Sequence, residues 1–121
     1  MIDNPKRYQQ LQSLVVALGK EAGGTVGGFT RMHQASLAAG ALDTKTKELM
    51  SLAVGIAVHC GDCITYHVHD AVAAGASRAE VVETLGIAVM MGGGPGLMYA
   101  CQALEALDQF ENVPASPGKV P

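Results

Sequence analysis

The chain reads as an all-α protein, a compact bundle of about six helices that assembles into an oligomer. Three observations predict this. Apolar residues recur at helical spacing in segment after segment, and no stretch alternates with the period of two that a half-buried strand shows. Capping residues, glycines and prolines punctuate those segments at helix-length intervals. Hydrophobic residues make up 49% of the chain but aromatics only 4%, so the core is built from Ala, Val, Leu, Met and Gly, which suits close helix packing.

The elements follow in order. Asn4-Pro5 offers a cap and a first-turn proline, and Tyr8, Leu11, Leu14, Val15 and Leu18 form an amphipathic stripe that runs to Gly19. The glycine-rich stretch Gly23–Gly28 holds regular structure poorly and is expected to be a loop. Phe29, Met32, His33, Ser36, Leu37 and Gly40 then suggest a second helix, in which His33 reads as a partly buried structural residue. Asp43 is a good N-cap for a third helix to about Val58, whose only polar side chain from Leu49 onward is Ser51. A helix apolar on all sides is expected to be buried, and so little charge outside it points to surface hidden in a homo-oligomer.

A fourth helix opens near Gly61, runs through Ala71 to Ala74 and stops at Gly75. Ser77-Arg-Ala-Glu80 is a capping box for a fifth helix with Val81, Leu85, Ala88 and Val89 inward. Gly92-Gly93-Gly94-Pro95-Gly96 breaks the pattern. It lacks the Gly-Lys-Ser/Thr ending and the preceding strand of a phosphate loop, so it reads as an elbow into a sixth helix carrying Leu97, Ala100, Leu104 and Leu107 to about Phe110. The tail over 111–121 is proline-rich and expected to be loose.

At 121 residues the chain is one domain, with a helical core over about 29–110. Eight basic against eleven acidic residues, with no basic cluster, argue against a nucleic-acid partner. The start of the chain lacks the apolar run of a signal peptide and the apolar segments are too interrupted to span a bilayer, so no membrane partner and a cytoplasmic location are expected. Three cysteines, two of them close together, fit a redox or metal motif with Cys101 as a buried bystander.

The chemistry is collected between Glu48 and Asp70. Cys60-Gly-Asp-Cys63 places a thiol pair at the start of the fourth helix, where the macrodipole and free N–H groups favour a thiolate. His67, four residues after Cys63 and seven after Cys60, falls on the same helical face. One thiolate can attack a peroxide or disulfide while the other resolves the product. A second reading has His59, Cys60, Cys63 and His67 surround a soft metal ion, although that takes all four ligands from nine residues. Glu48 is either a surface acid near a helix N-terminus or a buried carboxylate that orients an imidazole. It lies twelve residues before Cys60, about 18 Å along a straight helix, so the chain must turn back sharply after His59 for Glu48 to reach His67, directly or through water. His69 and Asp70 are expected off this face, toward solvent or a subunit contact.

Glu48, eleven residues, Cys60-Gly-Asp-Cys63, three residues, His67, then Ala74-Gly75-Ala76 and a late Gly-Gly-Gly-Pro elbow together resemble the carboxymuconolactone decarboxylase family, on its alkylhydroperoxidase D-like branch. The match runs from about Phe29 to Leu107. The resemblance implies an all-helical fold, oligomers built from trimers, and thiol-dependent reduction of hydroperoxides. It makes Cys63 the attacking thiol, Cys60 the resolving one, and Glu48 with His67 a proton relay. Its partners would be a hydroperoxide, an electron-donor dithiol of lipoyl or thioredoxin-like type, and further copies of the chain as a trimer or hexamer; no cofactor or metal is called for. The best-studied members carry a histidine where this chain has Asp62, an acid expected to disfavour a neighbouring thiolate. The alternatives in function are a general disulfide reductase and a non-catalytic metal- or ligand-binding helical oligomer.

Overall fold

A computed structural model describes residues 1–113; the tail expected over 111–121 therefore lies outside the described residues from 114 onward, and Glu111 still belongs to a helix. The described residues form five α-helices and no strand: α1 Asn4–Glu21, α2 Gly23–Leu37, α3 Thr44–Ala57, α4 Gly61–Ala73 and α5 Arg78–Glu111. The count is five rather than about six because the last two expected helices run on as α5. Gly93 nevertheless breaks it, with φ 63° and ψ −144°, a conformation open to glycine. Pro95 follows two residues later, in the first turn of the second half, where its missing N–H leaves no bond unmade.

The caps are local chemistry. Asp43 accepts the Thr46 N–H at 2.8 Å, and Ser77 and Glu80 close both bonds of the capping box at the start of α5. The first cap falls on Asp3 rather than Asn4: the Asp3 carboxylate accepts the Lys6 N–H at 3.1 Å, while Asn4 is buried and bonds to Gln109 and Thr65. Gly23–Gly28, expected as a loop, is the first part of α2, and Ala22 alone joins it to α1. Glycine in a helix costs about 1 kcal/mol per residue, yet α2 forms over this stretch and meets α1 where a Cβ on Gly19 would sit 3.4 Å from Val26 Cγ1.

The core lies between α3, α4 and α5. Leu52 and Ile56 meet Ile64 and Val68, with Val81, Leu85 and Leu107 from α5. In the second half of α5 the inward residues are Ala100, Ala103, Ala106 and Leu107, whereas Leu97 and Leu104, at helical spacing with them, are exposed; small side chains let that half approach α3 and α4. By length and apolar composition α5 could also cross a membrane, but seven of its side chains from Val81 to Leu107 are buried in this core. Three further expectations are corrected. Leu14, Val15 and Leu18 of the α1 stripe are exposed in the single chain, where only Asn4 and Tyr8 of α1 are buried. α3 buries one face through Leu52, Gly55 and Ile56 but leaves Met50, Val54 and Val58 open. Cys101 is exposed, because the alanines and not the cysteine take the inner face.

Where the two halves of α5 fold against each other, Gly96 has no room for a side chain. A Cβ there would lie 2.9 Å from the Ala88 carbonyl oxygen, which is backbone and cannot rotate away. Gly96→Ala should lower stability by about 1–3 kcal/mol, the range for overpacking a tight contact. Urea titration with an unchanged midpoint would show that the elbow tolerates the shift.

Candidate functional site

The site is made by the turn between α3 and α4. After Ala57 the Cys60 N–H bonds back to the Gly55 carbonyl at 3.0 Å and the His59 N–H to the Ile56 carbonyl at 3.1 Å. This is a Schellman closure, with His59 at φ +59° in the left-handed position glycine usually fills. The end of α4 closes in the same way with Gly75 at φ +95°. The tight return makes α3 and α4 antiparallel and close: a Cβ on Gly55 would come 3.2 Å from Cys63 Cβ. Seven residues back along α3, two helical turns, Glu48 then lies opposite His67.

Cys60 is the N-cap of α4 and its sulfur accepts the Cys63 N–H at 3.2 Å. Cys60 and Cys63 are joined as a disulfide, Cα atoms 5.2 Å apart. Glu48 is buried, 5% exposed, and its Oε1 lies 2.7 Å from His67 Nδ1. The contact is direct rather than through water. A carboxylate in that position accepts the Nδ1 proton and leaves Nε2 as the ring's second functional nitrogen. Cys63 and His67 line one cavity of about 570 Å³, whose walls include Phe29, Met32 and Val54; the open face of α3 is one of those walls.

Two residues stand elsewhere than their sequence positions suggested. His33 lines the same cavity as Cys63 and His67, its ring centroid 6.3 Å from that of His67 and nearly parallel to it. Asp70 is buried, 7% exposed, and accepts from Tyr8 Oη at 3.0 Å; His69 Nδ1 lies 2.9 Å from the same oxygen. The expectation that Asp70 faces solvent or another subunit is thus corrected. It lies three residues from His67 and seven from Cys63, which is the spacing of one helical face. Burial first, then the Asp70 charge, pushes the Tyr8 phenol well above its usual range. Glu48, His67 and Asp70 offer ligand atoms within 4.8 Å of one another, the group best placed among the described residues to hold a cation. Both carboxylates, however, are already engaged by protein groups. His59 stands apart from this cluster, its ring stacked on Tyr99 with centroids 4.8 Å apart.

Asp62, between the cysteines, is half-exposed and carries a two-pronged pair with Arg7 of α1, Nε to Oδ1 and Nη2 to Oδ2, each 2.9 Å. Hydrogen bonding to that guanidinium holds the Asp62 carboxyl below its ordinary value despite some desolvation. The negative charge beside Cys63 therefore has a partner fifty-five residues away that no local signal announced.

Known proteins share this chain's sequence pattern and fold. Residues 24–106 match the model of the carboxymuconolactone decarboxylase family. An uncharacterized protein of Cupriavidus necator is 33% identical over 106 residues, 88% of this chain and 94% of its own. An uncharacterized protein of the cox locus of Paracoccus denitrificans is 34% identical over 83 residues, 69% of this chain and 75% of its own. Among solved structures, a family protein from Legionella pneumophila, in its apo form, superposes with a TM-score of 0.84 at 42% identity, covering 88% of this chain and 96% of that one. One from Thermotoga maritima superposes at 0.68 with 32% identity, covering 80% and 89%. With its Glu48, Cys60-x-x-Cys63 and His67 set consistent with the alkylhydroperoxidase D-like branch, the chain belongs to the carboxymuconolactone decarboxylase family.

Proposed function

We propose that the protein is a thiol-dependent peroxidase that reduces hydroperoxides through a Cys60/Cys63 dithiol–disulfide cycle. The observation that carries the reading is the shared cavity: Cys63 opens onto it beside His67, and His67 is held by the buried Glu48. In this reading His67 takes the Cys63 proton, the thiolate attacks a peroxide oxygen, and the O–O bond breaks to give an alcohol and a sulfenic acid on Cys63. The Cys60 thiol then displaces water from that sulfur and closes the disulfide, which a donor dithiol reopens. The Arg7–Asp62 pair supports the cycle by offsetting the acid beside Cys63. The apolar cavity walls suit an organic hydroperoxide, and a role in the antioxidative response has been suggested for the Thermotoga relative. The same reading takes the protein as a cytoplasmic homo-oligomer, a trimer or hexamer. Leu14, Val16 and Leu18 of α1 and Met90, Met91 and Met98 of α5, all exposed in the single chain, support the assembly.

The test starts from reduced protein. One equivalent of an alkyl hydroperoxide should lower the intact mass by two protons and remove two of three free thiols, with one alcohol formed per chain. An unchanged mass together with one bound zinc per chain would overturn the reading in favour of a metal-binding oligomer.

A further inference from the structure

We propose that His33 is a catalytic residue of this site, the group that protonates the oxygen leaving the hydroperoxide. The inference rests on the peroxidase reading and adds to it a residue from a different helix. His33 comes from α2, outside the α3–α4 unit that supplies Glu48, Cys60, Cys63 and His67, yet it lines the cavity onto which Cys63 and His67 open. Its ring is nearly parallel to that of His67, centroids 6.3 Å apart, and Phe29, also on the cavity wall, flanks it at 6.0 Å. Of the other polar groups that line the cavity, Ser36 is exposed and offers only a hydroxyl, a far weaker acid than an imidazolium, and the rest are committed elsewhere. Lys47 Nζ donates to the Ala38 carbonyl at 2.6 Å, Ser51 Oγ to the Lys47 carbonyl at 2.8 Å, and His67 Nδ1 is bound to Glu48. Asp62 is paired with Arg7 and does not line the cavity.

Two imidazoles on one cavity allow a division of labour. His67, oriented by Glu48, removes the proton from Cys63. The sulfur then bonds to the terminal peroxide oxygen, two electrons pass from sulfur to the O–O bond, and that bond breaks. The departing alkoxide takes its proton from His33, which leaves an alcohol and a Cys63 sulfenic acid. His33 also borders a second, more polar cavity of about 490 Å³ shared with Glu48, Thr44 and Lys45, through which water can return the proton.

The test uses reduced protein carrying Cys60→Ser, so that only the first oxidation of Cys63 is read, with two oxidants that differ in leaving group. An alkyl hydroperoxide expels an alkoxide that needs a proton, whereas a peroxycarboxylic acid expels a carboxylate that does not. His33→Ala should slow sulfenic acid formation with tert-butyl hydroperoxide by about 10²-fold, the lower part of the range for a positioned acid. The rate with peracetic acid should stay within about twofold, and His33→Gln, which keeps an N–H donor, should fall between. Equal losses with both oxidants would make His33 a structural residue and overturn the proposal, as would no loss with either. If the parent protein forms no sulfenic acid with either oxidant, the peroxidase reading itself fails, a result separate from any difference between His33 variants. No residue of α2 is buried, so the substitution removes no core contact, and the peracid rate reports whether Cys63 is still correctly placed.

Discussion

Cys63→Ser is expected to abolish hydroperoxide consumption, and Cys60→Ser to leave a single turnover that stops at a sulfenic acid on Cys63. Both sulfurs sit at the same helix start, so the helix dipole alone does not separate their roles. Their surroundings do. Cys63 lies on the cavity with His67 one turn further along α4, and thus has both a base and room for a substrate. Cys60 is the N-cap, outside the cavity lining, and its sulfur accepts the Cys63 N–H. A thiolate on Cys60 would be well placed to strike an oxidised Cys63 from the turn side, since the two already bond at this Cα separation. The measurement is stoichiometric: alcohol released per chain, with a dimedone-type trap reporting the sulfenic acid. The prediction is zero equivalents for Cys63→Ser, and one equivalent with a trapped adduct for Cys60→Ser. A Cys63→Ser protein that still turns over one equivalent, beside an inert Cys60→Ser, would reverse the assignment.

Elements with strong local chemistry were readable from the sequence. Ser77 and Glu80 close their capping box in the structure, Asp43 caps α3, and Gly75 takes the left-handed position at the end of α4. The turn after α3 was harder to read because the same closure is made by His59, which carries no glycine signal. Gly23–Gly28 misled in the opposite sense, since local propensity disfavours a helix that nonetheless forms there, alongside α1. Helical stripes were sound over the first half of α5, where Val81, Leu85 and Ala88 are buried, and unsound at Leu97 and Leu104 and along α1. Leu14, Val15 and Leu18 have the right spacing for a core face, but the single chain places nothing over them.

At the site, helical spacing within α4 was enough to group Cys63 and His67; Cys60, the N-cap, lies outside the cavity they line and is tied to Cys63 through the disulfide. Asp70 belonged with them at three residues from His67; its spacing was legible and its burial under Tyr8 was not. Contacts from distant helices left no trace in any local window. Arg7 on Asp62, Tyr8 on Asp70 and His33 beside His67 all depend on how α1 and α2 lie across the α3–α4 pair. Glu48 fell between these cases. Its type and position were conspicuous, but its meeting with His67 depends on a sharp turn and on the absence of a side chain at Gly55.

Glu48→Gln should slow the oxidation of Cys63 by about 10² to 10⁴, the range for losing a positioned acid or base, while leaving the fold intact. Glutamine has nearly the same shape, and its carbonyl can still accept the His67 Nδ1 proton, so the ring keeps its place at about 2.7 Å. The change removes the charge that steadies an imidazolium as His67 takes up the thiol proton. His67→Ala should slow the same step comparably and also reduce stability, because it strips a buried carboxylate of its donor; that penalty is about 1–3 kcal/mol or more for a charged group. If the two residues act as one unit, the double variant should be no slower than His67→Ala alone, since groups that work together are not additive. Formation of the Cys60–Cys63 disulfide by a strong chemical oxidant should be unaffected in every variant, which separates proton handling from thiol geometry. Wild-type rates in Glu48→Gln, with a loss confined to His67→Ala, would reduce Glu48 to a residue that seats the imidazole and carries no proton. Full additivity in the double variant would instead mean that the two side chains act on Cys63 independently despite their hydrogen bond.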